Sequence, residues 1–302
     1  MKSQRRHISN ELSISRIVHG EMRLPEWNLS DQELLSFIKQ CIEIGVTTFD
    51  HADIYGNYSC EEIFGHAIKL DTSVSKNIEI VTKCGIKLLS DKYPERSIKH
   101  YDYSFEHIVR SAENSLKKLQ IEKIDVFLLH RPAPFFNPEE VAKAFDNLHK
   151  SGKVLHFGVS NFTPLQFQSL QSHLDQKLLI NQVELSPYNL EHFRNGNIDF
   201  LLNEGIAPMS WSPLAGGSLF NPKDEKAHRL LTTLKEIGEE LNLEHIDSVI
   251  YAWLLSHPSR IAPIVGSGKL ERIKTAVDAL QIEISLEQWY KIWVASTGHR
   301  VP

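Results

Sequence analysis

Four ionisable side chains stand where three short apolar runs end. The first run closes in Phe49-Asp50-His51-Ala52-Asp53-Ile54-Tyr55-Gly56, with Asp50 at its tip and Tyr55 a short turn later. The second, Val81-Thr82-Lys83-Cys84-Gly85, brings Lys83 to its end, and the third, Phe127-Leu128-Leu129-His130-Arg131, brings His130. Together the four could run a proton transfer that needs no metal. A phenol with a pKa near ~10 is a weak acid at neutral pH, and a neighbouring ammonium lowers that pKa. Lys83 is the candidate cation, and Asp50 is the anion that would keep it charged in a dry pocket. His130 can donate to a substrate oxygen and hold it beside Tyr55. The reaction that uses such a set adds hydride to a carbonyl carbon while Tyr55 protonates the oxygen. Each residue alone has a plainer use: Asp50 as a helix cap, Lys83 as a solvated cation, His130 as a core histidine, Tyr55 as a rim aromatic. Their joint occurrence at successive strand ends is what favours chemistry.

Such a set needs a scaffold that repeats strand ends. Eight β-rich runs fall at 17–20, 47–50, 78–83, 124–130, 154–159, 179–183, 207–211 and 261–265. Between them lie segments with apolar residues at helical spacing, among them 31–44, 104–119, 139–150, 164–173 and 269–280. Ser30 before an acidic turn, Asn137-Pro138 and Thr163-Pro164 are helix-start signals. Strand–helix alternation at this count predicts an α/β protein, a (β/α)8 TIM barrel. Active-site residues of such barrels sit where strands end, the position of all four side chains. Three pieces fall outside the repeat. Residues 7–17 read as a hairpin turning near Ser9-Asn10 and covering the barrel floor, 223–241 as an extra helix before the regular one at 246–256, and 286–295 as a final helix. An open doubly wound sheet would need a Gly-rich turn after the first strand, and Gly20 is the only glycine there.

Composition agrees with one soluble barrel domain over 1–302. Apolar residues make up 41% of the 302, and 38 acidic against 33 basic residues give a net charge of -5 without a basic block. That argues against nucleic acid or an anionic membrane as partner. Cys41, Cys60 and Cys84 form no CxxC pair and read as reduced thiols. The N-terminal residues carry no apolar run of a secretory signal, and no stretch is long and apolar enough for a membrane span. A cytoplasmic monomer acting on a small molecule is the expectation.

The segments FDHADIYG, VTKCG and LLHRP resemble those of the aldo-keto reductases, bacterial type, and the likeness runs from the first strand to about Arg272. The resemblance implies a catalytic tetrad of Asp50, Tyr55, Lys83 and His130. It also implies that Ser160 and Asn161 in GKVLHFGVSNF, with Gln182 in NQVELSP, hold a nicotinamide carboxamide. In MSWSPLAGG, Trp211 would stack on the nicotinamide, and Ser212 and Leu214 would wrap the pyrophosphate. Gly266, Ser267 and Gly268 precede a helix start, where backbone N–H groups favour anions, and Lys269 adds a cation. Ser267 and Arg272 match residues around the 2′-phosphate and adenine of NADP. Two departures stand out: Gly266 replaces a lysine common at this turn, and Thr275-Ala276 replaces a Glu-Asn pair. NADPH is therefore the favoured cofactor, with NADH still open, and an aldehyde or ketone the expected substrate.

The substrate side reads more faintly. Gly20-Glu21-Met22 stands where many relatives carry Gly-x-Trp, so an aromatic wall is expected to be missing. Met22, Trp27, Tyr58 and the loop 86–103 are candidates to line the pocket, which is expected to be open and wet under a short C-terminal lid. Two other functions compete. One is an NADPH-holding redox-sensing or accessory module without turnover, against which the Tyr55–Lys83 pair counts. The other is a barrel hydrolase, which would need two facing carboxyls in place of His130 and Trp211.

Overall fold

Strands buried between a packed interior and a helical shell should be short, and the strands here run two to seven residues. In chain order they are β1 (Arg5–His7), β2 (Ser13–Ser15), β3 (Val18–Gly20), β4 (Thr48–Asp50), β5 (Glu79–Cys84), β6 (Ile86–Lys87), β7 (His100–Tyr101), β8 (Ile124–Leu129), β9 (Val154–Ser160), β10 (Leu178–Glu184), β11 (Ala207–Trp211) and β12 (Ala262–Val265). The computed structural model describes residues 2–9 and 12–302. In it β3, β4, β5, β8, β9, β10, β11 and β12 pair in parallel in that order, and β12 closes back on β3. This is the (β/α)8 barrel expected. Within it Val18, Val81, Val126, Leu128, Ile180 and Met209 form one buried cluster.

The hairpin β1–β2 lies at the N-terminal ends of the strands and lends Leu12 and Ile14 to that cluster, closing the floor. Asn10, in the expected turn, lies outside the described residues. Arg5 pins the hairpin, donating to Thr47 Oγ1 at 2.7 Å and Glu79 Oε1 at 2.8 Å. The hydroxyls of Thr47 and Thr48 each donate to Glu79 Oε2 at 2.8 Å.

Around the barrel, the expected helix starts appear as real caps. Ser30 with Glu33 and Thr163 with Gln166 form reciprocal capping boxes, and Asn137 caps the helix Pro138–Lys150. Two helices, Cys60–Lys69 and Asn197–Glu204, lie outside the segments singled out from sequence. The additional helices Glu225–Glu240 and Leu286–Thr297 flank Ile246–Leu255. Trp289 stacks on Trp253 at 5.0 Å and on Trp293 at 5.7 Å, and the indoles of Trp253 and Trp289 each donate to the other's backbone carbonyl. Among the described residues, no helix is long and apolar enough to cross a membrane.

Candidate active site

Asp50 at the end of β4 pairs with Val81 of β5, and Lys83, two residues further on the same face, reaches it inside the mouth of the barrel. The Lys83 side chain is fully buried, so its ammonium must find acceptors. It donates to both Asp50 carboxylate oxygens at 2.9 and 2.8 Å, to the His51 carbonyl at 2.7 Å and to the Tyr55 hydroxyl at 3.2 Å. Gln182 Nε2 adds a bond to Asp50 Oδ1 at 2.7 Å. Burial disfavours the Lys83 charge, but Asp50 and Tyr55 outweigh it and hold the lysine above its ordinary value. It stays an ammonium.

Tyr55 reaches this ammonium because the chain turns sharply after β4. The Tyr55 N–H closes the turn on the Ala52 carbonyl at 3.1 Å, and Gly56, Asn57 and Tyr58 follow with φ of 56°, 53° and 67°. At Gly56 a Cβ would come within 2.7 Å of both Cys60 Sγ and Pro25, so the left-handed turn and the crowding both demand glycine. Loop residues hold the run in place: Ser90 and Asp91 bond Asn57, and Arg96 and the Leu88 N–H bond the Tyr58 hydroxyl. Burial pushes the Tyr55 phenol above its ordinary pKa, and Lys83 offsets only part of that. The net lowering expected from sequence is thus reversed. Lys83 donates to the phenol oxygen, which leaves the phenol O–H free to donate into the cavity.

His130 follows β8, its N–H on the Cys84 carbonyl at 3.0 Å, and its ring stands edge-on to Tyr55 at 5.8 Å and 80°. Burial, reinforced by Lys83, Arg131 and Lys99, holds this imidazole well below its usual pKa. It is neutral, and its Nδ1 is buried without a partner among the described residues, leaving Nε2 as the nitrogen for a ligand in the cavity. Asp50, Tyr55 and His130, with Lys83 buried behind them, face a cavity of about 930 Å³ whose wall includes Lys99, Tyr101, Trp211, Gly266 and Arg272. A neutral N–H donor, a protonated phenol and a fixed ammonium behind it can bind a carbonyl oxygen and supply its proton.

A model of the aldo/keto reductase family matches residues 16–295. The chain belongs to that family. It is 48% identical over 299 residues to the uncharacterized oxidoreductase YcsN of Bacillus subtilis (strain 168), covering 99% of this chain and 100% of that protein. With the 6-dehydroglucose reductase of Agrobacterium fabrum (strain C58 / ATCC 33970) it shares 40% identity over 99% of both chains. Among solved structures, the thermostable aldo-keto reductase Tm1743, crystallised with the inhibitor epalrestat, superposes with a TM-score of 0.79. That match covers 97% of this chain and 99% of the other at 24% identity, and it shows the same fold.

In this aldo/keto reductase, Ser160, Asn161, Gln182 and Trp211 form one hydrogen-bonded group beside the quartet. Trp211 Nε1 donates to Asn161 Oδ1 at 3.0 Å, Asn161 Nδ2 to Ser160 Oγ at 2.8 Å, and Ser160 Oγ to the Gln182 carbonyl at 2.9 Å. Ser212, at φ 49°, and Leu214 line the cavity next to Trp211. Gly266, Ser267 and Arg272 line its far end, but Gly268 and Lys269 are not part of the wall. Gly268 has a packing reason instead, since a Cβ there would lie 2.6 Å from the Trp27 ring. Trp27 is accordingly spent under this turn and against His19, and Tyr58 on Leu88 and Arg96; neither lines the cavity, whereas Met22, Ile86, Lys99 and Tyr101 do.

Sequence reasoning passed over several residues of the wall. Asp247 and Tyr251 come from the helix Ile246–Leu255, and nothing local marks them. Arg131 was visible beside His130 in LLHRP. His19 is fully buried, held between Glu21 Oε1 at 2.5 Å and the Ser267 carbonyl at 3.0 Å, so it ties the end of β3 to the Gly266–Gly268 turn. Burial opposes its charge, yet Glu21 and the Ser267 carbonyl hold the imidazole above its usual value. Among the described residues, none after Arg272 lines the cavity.

Proposed function

We propose that this chain is an NADPH-dependent reductase of aldehydes or ketones, with Tyr55 as proton donor. The observation that carries it is the buried Lys83 ammonium, bonded at once to Asp50, to the His51 carbonyl and to the Tyr55 hydroxyl. His130 Nε2 orients the substrate oxygen, and the Tyr55 O–H protonates it. Lys83 then stabilises the phenolate left behind, and Asp50 with Gln182 keeps Lys83 charged and in place.

The wall suits a nicotinamide dinucleotide. The Trp211 indole offers an aromatic face, and the Gln182 side-chain oxygen remains an acceptor for a carboxamide while its Nε2 serves Asp50. At Gly266 a Cβ would meet nothing nearer than the Gly20 carbonyl at 3.6 Å, so neither its backbone nor its neighbours require glycine there. The missing side chain is better understood as space left for a ligand. Ser160 and Asn161 would border the carboxamide, Ser212 and Leu214 the pyrophosphate, and Ser267 and Arg272 the 2′-phosphate, with Lys269 contributing charge from outside the wall. When bound, the cofactor supplies the hydride; the protein supplies the proton and the geometry.

The likeness to a 6-dehydroglucose reductase makes oxygen-rich, sugar-like aldehydes the first substrates to try. We further take 1–302 to act as one cytoplasmic barrel domain. A panel of aldehydes and ketones, 6-dehydroglucose included, assayed by loss of NADPH or NADH absorbance tests the reading. Aldehyde-dependent oxidation of NADPH, faster than that of NADH, is expected. Tight NADPH binding with no turnover of any carbonyl would overturn it.

A further inference from the structure

Beyond the quartet, the cavity carries cations that meet no carboxylate or side-chain hydrogen-bond acceptor among the described residues. Its wall holds Arg23, Lys99, Arg131 and Arg272 against two carboxylates, Asp50 and Asp247. Asp50 is consumed by Lys83. Asp247 lies at the other end, where it acts on Tyr251 together with Arg272. Arg131 is half-buried and follows His130 directly. Its guanidinium sits over the Trp211 ring at 5.3 Å, and among the described residues it meets no hydrogen-bond acceptor and no carboxylate. Its backbone, in contrast, is fixed: Tyr103 Oη accepts from the Arg131 N–H at 3.0 Å and donates to the Arg131 carbonyl at 2.6 Å. Gly85 makes room for that tyrosine, since a Cβ there would lie 2.0 Å from the ring.

A guanidinium that faces the cavity with its N–H groups unbonded to the protein is available to the acceptor of a ligand. Its planar fork suits a carboxylate or phosphate, which two parallel N–H bonds can grip. Lys99 also lines the cavity and acts electrostatically on His130, so both cations bear on the residue that meets the carbonyl oxygen. We propose that the substrate carries an anionic group, carboxylate or phosphate, a few bonds from its reacting carbonyl, with Arg131 as the residue that grips it. Lys99, exposed on the loop 86–103, attracts the same group at longer range. This rests on the reading of Tyr55 and His130 as the carbonyl end.

The test compares matched substrates with and without the charge: succinic semialdehyde against butanal, and glyceraldehyde 3-phosphate against glyceraldehyde, which also separates carboxylate from phosphate. Wild type should favour at least one anionic member in kcat/KM by roughly ten- to hundredfold, the range of a charged hydrogen bond. Arg131→Gln should cut that ratio by about tenfold or more, and Arg131→Lys should recover part of it. Lys99→Gln should cut it a few-fold, with an effect that fades at high salt. Calorimetric titration of the NADP-loaded protein with 4-hydroxybutyrate should show binding that Arg131→Gln weakens without changing NADPH affinity. A ratio near one in wild type overturns the proposal, as does an Arg131→Gln effect shared equally by charged and neutral substrates or seen in NADPH affinity. Absence of turnover with all four aldehydes, while other carbonyls of the wider panel are reduced, overturns this proposal alone; absence of turnover across the whole panel overturns the reductase reading, and this proposal with it.

Discussion

At the floor of the barrel Arg5, Thr47, Thr48 and Glu79 satisfy one another, whereas at the mouth the polar groups that face the cavity are left open. Glu79 receives the Arg5 guanidinium and both threonine hydroxyls, so most of its acceptor capacity is used within the floor. Asp50 and Lys83 are bonded as fully, but the Tyr55 O–H, the His130 imidazole and the Arg131 guanidinium are not. Several residues at the same end also hold a left-handed backbone, as Gln120 and Arg260 do before β8 and β12. Asn57, Tyr58, Asn161, Ser212 and Ala215 have φ of 53°, 67°, 64°, 49° and 51°, in the region that side chains with a Cβ disfavour. The floor spends its polar groups on stability and the mouth reserves them for chemistry, a division general to this architecture.

The contrast can be broken most forcefully at Tyr55. Tyr55→Phe keeps the ring and removes the acid, so carbonyl turnover should fall by roughly 10²- to 10⁴-fold with NADPH binding retained. Steady-state kinetics within threefold of wild type would end the assignment. Lys83→Met strands the buried Asp50 carboxylate, so turnover should collapse and stability drop by about 3–5 kcal/mol in urea unfolding. Asp50→Asn should do less to turnover, because Lys83 keeps the His51 carbonyl and Tyr55. The double variant should be more stable than Lys83→Met alone. If Asp50→Asn proved the more damaging to turnover, the roles given to the pair would be reversed.

Smaller effects sharpen the comparison. Arg272→Ala should weaken NADPH roughly ten- to hundredfold in a fluorescence titration, since charged bonds to a phosphate are lost, while NADH affinity stays put. Equal losses would mark a structural arginine. At the floor, Arg5→Ala should lower stability by on the order of 1 kcal/mol and leave kcat/KM unchanged, because the pair with Glu79 is partly solvated.

How much was legible follows from where the signal lies. Strand ends at Asp50, Lys83 and His130 were readable because apolar runs stop at ionisable residues, and Ala207–Trp211 was delimited to the residue. The helix Cys60–Lys69 was harder to see, since only Ser59 separates it from the left-handed run Gly56–Tyr58 and no side-chain cap marks its start. Gly268 and Lys269 matched a phosphate-binding pattern, but which backbone faces the cavity depends on Trp27, distant in sequence and packed under Gly268. The Tyr55 phenol was expected to be lowered because pattern reveals the neighbouring cation and not the depth of burial, and burial dominates. Arg131 carried no signal beyond its place after His130. Its lack of an acceptor among the described residues is a property of the folded wall alone.

The central claim, that Tyr55 and not His130 donates the proton, is tested most directly by the pH dependence of kcat for carbonyl reduction. Tyr55 is held above its ordinary pKa and His130 well below its own. From about pH 6 to about pH 9 the phenol therefore stays protonated and the imidazole stays neutral, against ordinary values near ~10 and ~6.5. The profile should be flat across that window and fall only at higher pH, as the phenol loses its proton. A rate that instead halves near pH ~6.5, the ordinary imidazole value, and loses this dependence in His130→Gln, would make the histidine the acid and contradict the account.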